Sequence, residues 1–415
     1  MKKTRLDQVA KVEISGVDKK TKPGQQIVRL CNFTDVYYNW AITQDMHDTF
    51  KVASASQKEI DSLALQKGQV ALTKDSETRD DIGISTYIAD DFEDVVLGYH
   101  TALITPDETK LNGKYLNAFL HTSYMQKYFS FNASGSGQRY TLSTEALNAI
   151  QLILPTLEEQ ERIGNLFSLL DRKISLNRSI NEELERMAKE IYDYWFVQFD
   201  FPDEHGRPYK SSGGAMVYNP VLKREVPAGW EVKNLDYYLS SISERTSIIE
   251  DSHANYTPIE VIPRKKMSFH ETVPLEKAVS GLCKYNKKDI LLSNRRVYFH
   301  KVSIVPFNGV TRDTVIILRP KFEDSLGYSF QLVNSDHFIA FATKHSYGSE
   351  QPVLSWETAK KYKVCVPPKD IVLSYNRKIS SCIDSILDNE IESGELTKLR
   401  DELLPLLMTG QVKIK

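Results

Sequence analysis

The feature that most constrains the fold of this chain is an internal repeat. Residues 136–147 (SGQRYTLSTEAL) correspond to residues 348–359 (GSEQPVLSWETA), 212 positions later. Each copy continues through a short apolar run to a proline, Pro155 in the first copy and Pro367 in the second. Similarity at a fixed offset within one chain is typical of a duplicated structural unit. The sequence therefore predicts two similar halves.

A long segment with helical periodicity follows each proline. No further proline interrupts residues 156–201, and a helix of about 40 residues would be about 60 Å long. Apolar residues recur at alternating spacings of four and three, the pattern of a coiled-coil seam, and the second copy repeats them at the same offset. The seam residues are Ile180, Leu184, Met187 and Ile191 in the first helix and Leu396, Leu399 and Leu403 in the second.

An apolar seam of this length must pack against another surface. Its own copy is the obvious partner, so the sequence predicts an antiparallel pair of helices within the chain. In the alternative interpretation, each helix covers only the domain next to it. The equal offset of the two seams favours the helix pair.

The repeat extends upstream in a looser form. Residues 67–73 (KGQVALT) resemble residues 287–293 (KKDILLS), and both predict a turn that leads into a buried strand. Residues 102–106 and 316–320 both predict a strand that ends at a proline. The predicted organisation is a first domain at 1–155, a spacer helix at 156–201, a turn-rich linker at 202–229, a second domain at 230–370 and a C-terminal spacer helix at 371–415.

Composition places the chain among soluble globular proteins, with 41% hydrophobic and 26% charged residues. No stretch approaches the roughly 20 apolar residues that span a bilayer, and the charged start (MKKTRLD) lacks the apolar segment of a secretory signal. The four cysteines are far apart, without the spacing of a zinc site. We expect reduced thiols, no metal, and a cytoplasmic protein.

The charge is unevenly distributed although the net charge is only −2. Residues 257–321 contain thirteen Lys or Arg against five Asp or Glu, whereas residues 156–204 contain six against twelve. A basic region beside acidic helices is typical of a DNA-binding protein with a separate protein-binding scaffold. Taken alone, such a charged run more often marks a solvated surface.

Four phrases identify a family that the chain resembles. They are LPTLEEQERI at 154–163, WFVQFDF at 195–201, VPAGWE at 226–231 and LLPLLMTG at 403–410. In this order, around a duplicated domain and helix, they resemble the specificity subunits of Type I restriction-modification systems over essentially the whole chain. The second junction, PPKDI at 367–371, departs from the pattern because it lacks the EQxRI phrase of the first.

The resemblance implies an α+β protein. Its two mixed α/β target recognition domains would lie in a pseudo-twofold arrangement, separated by two long antiparallel coiled-coil helices. Such a subunit binds double-stranded DNA at a split target and joins two adenine-N6 methyltransferase subunits and restriction subunits with translocase activity. S-adenosylmethionine, ATP and Mg are expected in those partner subunits, and no cofactor is expected in this chain.

The motifs of the partner enzymes are absent from the sequence. Adenine methylation needs an Asn/Asp-Pro-Pro-aromatic loop, and the nearest sequences, NPVL at 219–222 and VPPK at 366–369, lack essential members of it. The phosphate loop of ATPases, His-Glu-x-x-His and Gly-x-Ser-x-Gly are also absent. We therefore expect a non-catalytic subunit. The alternatives are the recognition subunit of a two-component restriction enzyme that cuts on both sides of its site, and a two-module scaffold without a DNA role.

Candidate DNA contacts lie where predicted strands end in basic or polar loops. Arg and Lys read guanine, Asn and Gln read adenine, and further cations hold phosphates. The sequence NRRVYFHK at 294–301 follows a buried run, although a solvated turn is the alternative interpretation. The candidates at the strand exits are Lys74 and Arg79 in the first domain and Asn294, Arg295, Arg296 and Tyr298 in the second. Gln138 and Arg139 follow the glycine-rich turn at 134–137, and Arg264, Lys265 and Lys266 follow Pro263 and suit phosphates better than bases.

Overall fold

The computed structural model describes residues 3–137, 139–247, 255–278 and 281–414. The chain divides into two compact units. The first unit combines Met1–Lys173 with Leu396–Lys415, and the second unit comprises Ile174–Glu395. Each unit therefore contains one part of each long helix.

A five-stranded sheet forms the centre of the first unit. Its strand order is Ala10–Ile14, Thr101–Pro106, Val70–Thr73, Ser85–Ile88 and Ala41–Ile42. The second unit repeats the first four positions of this order with Leu239–Ile242, Val315–Pro320, Ile290–Ser293 and Val302–Ile304. Neighbours among these four strands are antiparallel in both sheets. The strands that were predicted to end at a proline do so, and the duplication is present in the topology.

Smaller sheets complete each unit. In the first unit, Lys3–Arg5 pairs with Gln151–Ile153, and the corresponding pair in the second unit is Glu231–Asn234 with Lys363–Val366. The other strands of the first unit are Gln26–Cys31, Lys51–Ala55 and Val95–Leu97 in one sheet and Asp75–Ser76, Ser134–Ser136 and Arg139–Thr141 in another. The second unit adds the hairpin Met216–Asn219 and Arg224–Pro227, and a sheet of Glu244–Thr246, Leu282–Tyr285, Gly309–Arg312 and Asn255–Tyr256.

The helices follow the same repeat. Before the long helices, the first unit has Phe33–Tyr38, Gln57–Leu63, Gly113–Leu120, Ser123–Asn132 and Thr144–Asn148. The second unit has Leu326–Asn334, Asp336–Lys344 and Trp356–Ala359. The central helix runs over Leu157–Tyr192 and continues in a π-helical turn at Asp193–Val197, and the C-terminal helix runs over Lys369–Met408.

The central strand of each sheet is buried on both faces. Val70 and Leu72 point into the core beside the long helices, while Ala71 points into a second core on the opposite face. In the second unit, Ile290 and Leu292 point into the core beside the long helices, and Leu291 points into a separate core on the opposite face. Alternate side chains of a strand point to opposite faces, so an uninterrupted apolar run is the pattern that a strand between two cores requires.

The central helix begins with a capping box. The backbone N–H of Glu159 donates to the Thr156 hydroxyl at 3.3 Å, and the backbone N–H of Thr156 donates to the Glu159 carboxylate at 3.3 Å. These bonds satisfy N–H groups that have no partner within a helix. The helix therefore starts directly after the proline of the LPTLEEQERI phrase.

The two long helices pack against each other within each unit. In the first unit, Ile163 and Phe167 share a core with Leu404 and Leu407. In the second unit, Asn177 donates to the Ser393 hydroxyl at 3.3 Å, and further along the central helix the Ala188 carbonyl accepts from the Tyr375 hydroxyl at 3.0 Å. Later residues of the central helix therefore contact earlier residues of the C-terminal helix, so the two helices are antiparallel there.

The buried stripe of the helices differs from the predicted seam. Ile180 and Met187 are each 40% exposed and Leu399 is 44% exposed. The residues one position further on, Asn181 and Ala188, are buried instead. Asn and Ala are not large apolar residues, so the spacing of large apolar side chains predicts the seam on the neighbouring face of the helix. The other predicted positions, Leu184, Ile191, Leu396 and Leu403, are half-buried against the cores.

The contact in the second unit repeats across the two copies. Asn177 and Asn389 are 212 residues apart, as are Asn181 and Ser393. The pair Asn177–Ser393 therefore corresponds to the pair Asn181–Asn389, in which Asn389 donates to Asn181 at 2.8 Å. This reciprocity is the property of a self-complementary contact. Polar groups occupy the middle of the helix pair.

Candidate nucleic-acid interface

The first strand exit, residues 74–79, leaves the buried strand Val70–Thr73. The backbone N–H of Lys74 donates to the His100 carbonyl at 3.0 Å, and the Lys74 carbonyl accepts from the Leu142 N–H at 2.8 Å. These two bonds hold the start of the segment between the turn at His100 and the end of the strand Arg139–Thr141.

The second strand exit, residues 294–299, leaves the buried strand Ile290–Ser293. Its first residue, Asn294, donates its backbone N–H to the Thr314 carbonyl at 3.0 Å and accepts from the Leu354 N–H at 2.8 Å. The two exits thus have the same backbone frame, although their sequences differ.

The side chains of the first strand exit gather around Asp75, whose side chain is only 8% exposed. Its carboxylate accepts from Lys74 Nζ at 2.9 Å and from His100 Nδ1 at 2.5 Å. The Thr141 hydroxyl also donates to it, and Arg139 Nη2 lies 3.3 Å away. Two predicted DNA-binding residues, Lys74 and Arg139, are brought together by an acid that the sequence analysis did not select.

Electrostatics keep this cluster in a defined protonation state. Burial raises the pKa of the Asp75 carboxyl, but hydrogen bonds from Thr141, His100 and Lys74 outweigh it and leave the pKa below its ordinary value. Burial lowers the pKa of His100, and the positive charge of Arg139 lowers it further, against the hydrogen bond with Asp75. The cluster therefore contains an ionised Asp75 and a neutral His100 at pH 7.

Arg139 reaches from the cluster towards solvent. Its Nη2 donates to the Tyr99 hydroxyl at 3.0 Å, and its guanidinium carbon lies 5.8 Å from the centre of the Tyr99 ring. Arg79 is exposed, and its guanidinium carbon lies 5.0 Å from the centre of the Tyr140 ring. The predicted contact Gln138 lies outside the described residues.

Asn294 of the second strand exit uses its amide within the protein. Its Nδ2 donates to the Asp313 carbonyl at 2.8 Å. Its Oδ1 is buried and has no hydrogen-bond partner among the residues that the structure describes. An unpaired buried acceptor is unfavourable, so this oxygen is a position where a donor from a ligand would be stabilising.

The two arginines of the second strand exit differ in their backbone. Arg295 is exposed and forms an antiparallel bridge with Val353. Arg296 has a φ of 47°, and its N–H donates to the Pro352 carbonyl at 2.9 Å. Tyr298 is exposed on the short helical turn that follows. The arginines therefore stand on a turn that is held from both sides by backbone hydrogen bonds.

Arg264 and Lys265 lie on a second basic segment of this unit. The guanidinium carbon of Arg264 is 4.1 Å from the centre of the Phe299 ring, so it belongs to the surface of the second strand exit. Lys265 has a φ of 55° and an exposed Nζ, 3.7 Å from the equally exposed Asp336. A pair this open to solvent leaves the ammonium available to phosphates.

Lys266 is directed away from this surface and onto the central helix. Its Nζ lies 2.7 Å from the Glu182 carboxylate, and the backbone N–H of the next residue, Met267, donates to Glu185 at 2.9 Å. Burial raises the pKa of Glu185 to about 7, against the hydrogen bond from Met267. Lys266 therefore binds the basic segment 264–266 to the central helix.

Sequence reasoning missed Asp75, Tyr99 and His100. The last two form the turn between the buried strands Val95–Leu97 and Thr101–Pro106, and His100 has a φ of 73°. Positive φ is uncommon outside glycine. The usable signal is a polar and aromatic turn between two apolar strands.

Within the described ranges, no group of three or more His, Cys, Asp or Glu side chains is placed to hold a metal ion. Among the same residues, no helix combines the length and the apolar character needed to cross a bilayer. All four cysteines are free thiols.

Comparison with known proteins places this architecture in a family. The family model of the Type I restriction modification DNA specificity domain matches residues 1–186 and again 227–401. The chain belongs to this family. As a Type I DNA specificity protein, it carries two copies of the specificity domain, one in each half of the repeat.

Individual relatives support the same assignment. The specificity subunit of the Type I restriction enzyme MjaIX of Methanocaldococcus jannaschii is 25% identical over 73% of this chain and 69% of the relative. The specificity subunit of the HindI enzyme of Haemophilus influenzae is 22% identical over 84% of this chain and 87% of the relative. The crystal structure of the S subunit of a Type I system from M. genitalium has the same fold, with a TM-score of 0.57 at 15% identity, over 98% of this chain and 95% of that one.

Proposed function

We propose that each half of this Type I DNA specificity protein reads one part of a split DNA target through its strand exit. The observation that carries the proposal is the shared backbone frame at Lys74 and Asn294, which presents different side chains in the two units. Base edges are read by side chains, whereas phosphate contacts set the register. A constant frame with variable side chains suits two readers of different sequences.

The exposed groups at both exits suit DNA. Arg139 and Arg79 stand beside tyrosine rings in the first unit, and Arg295 is exposed in the second. Arginine pairs with guanine O6 and N7 in the major groove. Lys265, with its exposed ammonium, is suited to a phosphate.

We further propose that the chain itself does not catalyse a reaction. Two adenine-N6 methyltransferase subunits would dock on it, and restriction subunits with translocase activity would join them in the cytoplasm. S-adenosylmethionine, ATP and Mg would be bound by those partners. The absence of a methylation loop or phosphate loop from the sequence supports this division of roles.

The long helices would set the spacing between the two half-sites. Half-sites on a duplex are related by translation and by rotation of about 10.5 base pairs per turn. Inserting one heptad within residues 181–188 and one in the facing part of the C-terminal helix is expected to lengthen the spacer while both half-sites stay the same. An unchanged spacer in the methylated motif of this variant would contradict the role of the helices.

Methylation sequencing tests the proposal directly. The full chain is expressed with its neighbouring methyltransferase gene in a methylation-deficient bacterial host, and N6-methyladenine is mapped at single-molecule resolution. A split motif with a methylated adenine in each half is expected. Methylation of one continuous motif would mean that the two units do not read separately. No methylation by a well-assembled pair would favour a scaffold without a DNA role.

A further inference from the structure

We propose that Arg139 reads a guanine in the half-site of the first recognition domain, and that Asp75 and His100 are positioning residues for its guanidinium. This inference rests on the proposed function and deepens it, because it assigns a base to one side chain.

The anchoring of Arg139 is one-sided. Every hydrogen bond of its guanidinium to the described residues runs through Nη2, with Asp75 at 3.3 Å, the Tyr99 hydroxyl at 3.0 Å and both ring nitrogens of His100, of which Nδ1 is the nearer. The N–H groups of Nη1 and Nε remain for acceptors outside the protein. The side chain is 55% exposed, so a ligand has access to them.

His100 links the acid to the arginine. Its Nδ1 lies 2.5 Å from the Asp75 carboxylate and is also the ring nitrogen nearer to Arg139 Nη2, so the imidazole contacts both the acid and the guanidinium. The charged and titratable groups that face the imidazole are Asp75, Lys74, Arg139 and the Tyr99 hydroxyl. Burial of His100 lowers its pKa and favours a neutral imidazole, and the positive charge of Arg139 acts in the same direction.

The positioning lowers the entropic cost of binding. An unrestrained arginine loses rotamer freedom when it docks on a base. Here Asp75 is itself held by Lys74 and Thr141, so it provides a fixed acceptor for one end of the guanidinium.

The neighbouring carboxylate also favours a base over a phosphate. The negative charge of Asp75 reduces the attraction of Arg139 for an anion, whereas the acceptors of a base are uncharged. Guanine is the base that presents two acceptors, O6 and N7, side by side in the major groove. The arrangement therefore points to a guanine as the ligand.

The test uses the full chain with its methyltransferase, and Arg139→Ala and Arg139→Lys are compared. Sequencing of the wild type first gives the motif. Both variants are then expected to lose discrimination at one G·C pair of the first half-site, by roughly 5- to 140-fold in binding to matched duplexes. Lysine is not expected to restore it, because it keeps the charge but lacks the planar guanidinium. Arg5→Ala is the matched control, because Arg5 is an exposed arginine paired with Asp7 in the same unit; it should leave the motif unchanged.

The positioning residues have their own readout. Asp75→Asn is expected to relax the same G·C pair partially, and thermal unfolding checks that the variant is folded. Wild-type discrimination should fall as the pH is lowered and His100 becomes protonated, because an imidazolium repels the adjacent guanidinium of Arg139. His100→Asn, which suits the positive φ at this position, should remove that pH dependence.

Three outcomes would overturn the inference while leaving the proposed function intact. They are an unchanged motif in Arg139→Ala, relaxation at an A·T pair only, and an equal loss on all sequences that Arg139→Lys restores. The last result would mark Arg139 as a phosphate contact. A wild-type chain that directs no split motif would overturn the proposed function and this inference with it.

Discussion

The two strand exits share a backbone and differ in charge. Asp75 pairs with Thr141 in the first unit, and Arg295 pairs with Val353 in the second. Thr141 and Val353 are 212 residues apart, so an acid and a base occupy equivalent places in the two copies. In the first exit, the negative charge of Asp75 offsets the positive charges of Lys74 and Arg139. In the second exit, Arg295 is exposed to solvent. Duplication has preserved the frame and changed the part that faces the ligand.

The turns that lead into the central strands show the opposite distribution of ionised groups. Gln69 accepts from the Gln66 N–H at 2.7 Å and donates to the Thr105 hydroxyl at 3.0 Å. In the second unit, Asp289 accepts from the Asn286 N–H at 2.8 Å and from Arg319 at 2.7 Å. Neutral groups in the first unit thus correspond to an ion pair in the second.

The contacts with the central helix also differ, although they do not lie at equivalent positions of the repeat. The Asn112 N–H donates to the amide oxygen of Gln160 at 2.9 Å in the first unit. In the second unit, the Met267 N–H donates to the carboxylate of Glu185, also at 2.9 Å. The second unit therefore has an ion pair at the turn where the first has neutral groups, and a titratable carboxylate at its contact with the central helix, so its stability should respond to charge and pH at these two places.

A large effect on stability is expected at the turns. Asp289→Ala leaves the guanidinium of Arg319 without its carboxylate, and we expect a loss of about 2–3 kcal/mol, below the ~3–5 kcal/mol of a fully buried pair because the Arg319 side chain is 36% exposed. Gln69→Ala removes neutral hydrogen bonds and should cost about 1 kcal/mol. Thermal unfolding of both variants measures the difference. Asp289→Asn, which keeps the acceptor for Asn286, should fall between them, and equal losses would contradict the contrast.

The contact of Glu185 with Met267 predicts a pH effect in the second unit. The pKa of Glu185 is about 7 in the folded protein and lies near its ordinary value, about 4.5, in the unfolded chain. The folded state binds the extra proton, so stability falls as the pH rises from about 4.5 to 7. Glu185→Gln should therefore stabilise the protein at pH 8, by up to about 3 kcal/mol, and change little at pH 4.5.

Unfolding of this variant at several pH values checks the prediction. Glu183→Gln, on an exposed position of the same helix, is the control and should change stability by less than about 0.5 kcal/mol. A pH-independent gain in Glu185→Gln would mean that the carboxylate is not the source of the effect.

The uncompensated arginines predict a half-site effect. Arg295→Ala with Arg296→Ala should reduce discrimination in the second half-site by about 1–3 kcal/mol for each base contact and leave the first half-site unchanged. Competition binding against duplexes altered in one half measures this. Arg296 has a φ of 47°, which Asn adopts more readily than most residues. Arg296→Asn therefore removes the guanidinium with little backbone strain and serves as a control for strain in Arg296→Ala. An equal loss on random DNA would mark both arginines as phosphate contacts.

The smallest effect is expected at Lys266. Because its ammonium pairs with Glu182 on the helix, Lys266→Ala should leave DNA affinity nearly unchanged and cost less than about 1 kcal/mol of stability. The adjacent Lys265→Ala should lower affinity for DNA of any sequence. It should also reduce the slope of log affinity against log salt concentration by the amount expected for about one phosphate contact. Titrations at two salt concentrations compare the two variants, and a larger loss for Lys266 would reverse the assignment.

The sequence by itself determined the duplicated architecture. Apolar runs before Pro106 and Pro320 predicted strands that the structure contains, and the EQxRI phrase marked the start of the central helix. These features depend on short-range rules, namely the period of apolar residues and the geometry of proline and helix caps. Such rules act within a few residues and can be read without the fold.

Tertiary structure alone decided which side chains meet. Asp75 lies 25 residues from His100 and 64 from Arg139 along the chain, and strand pairing brings them together. Asn177 and Asn181 are buried although their polarity predicts exposure; residues of the C-terminal helix bond both ends of the Asn181 amide and the Nδ2 of Asn177, whereas the Asn177 Oδ1 has no partner among the described residues. Hydrogen bonds between distant residues depend on register and packing, which no local pattern encodes. The repeat was therefore visible in the sequence, whereas the organisation of the two strand exits required the fold.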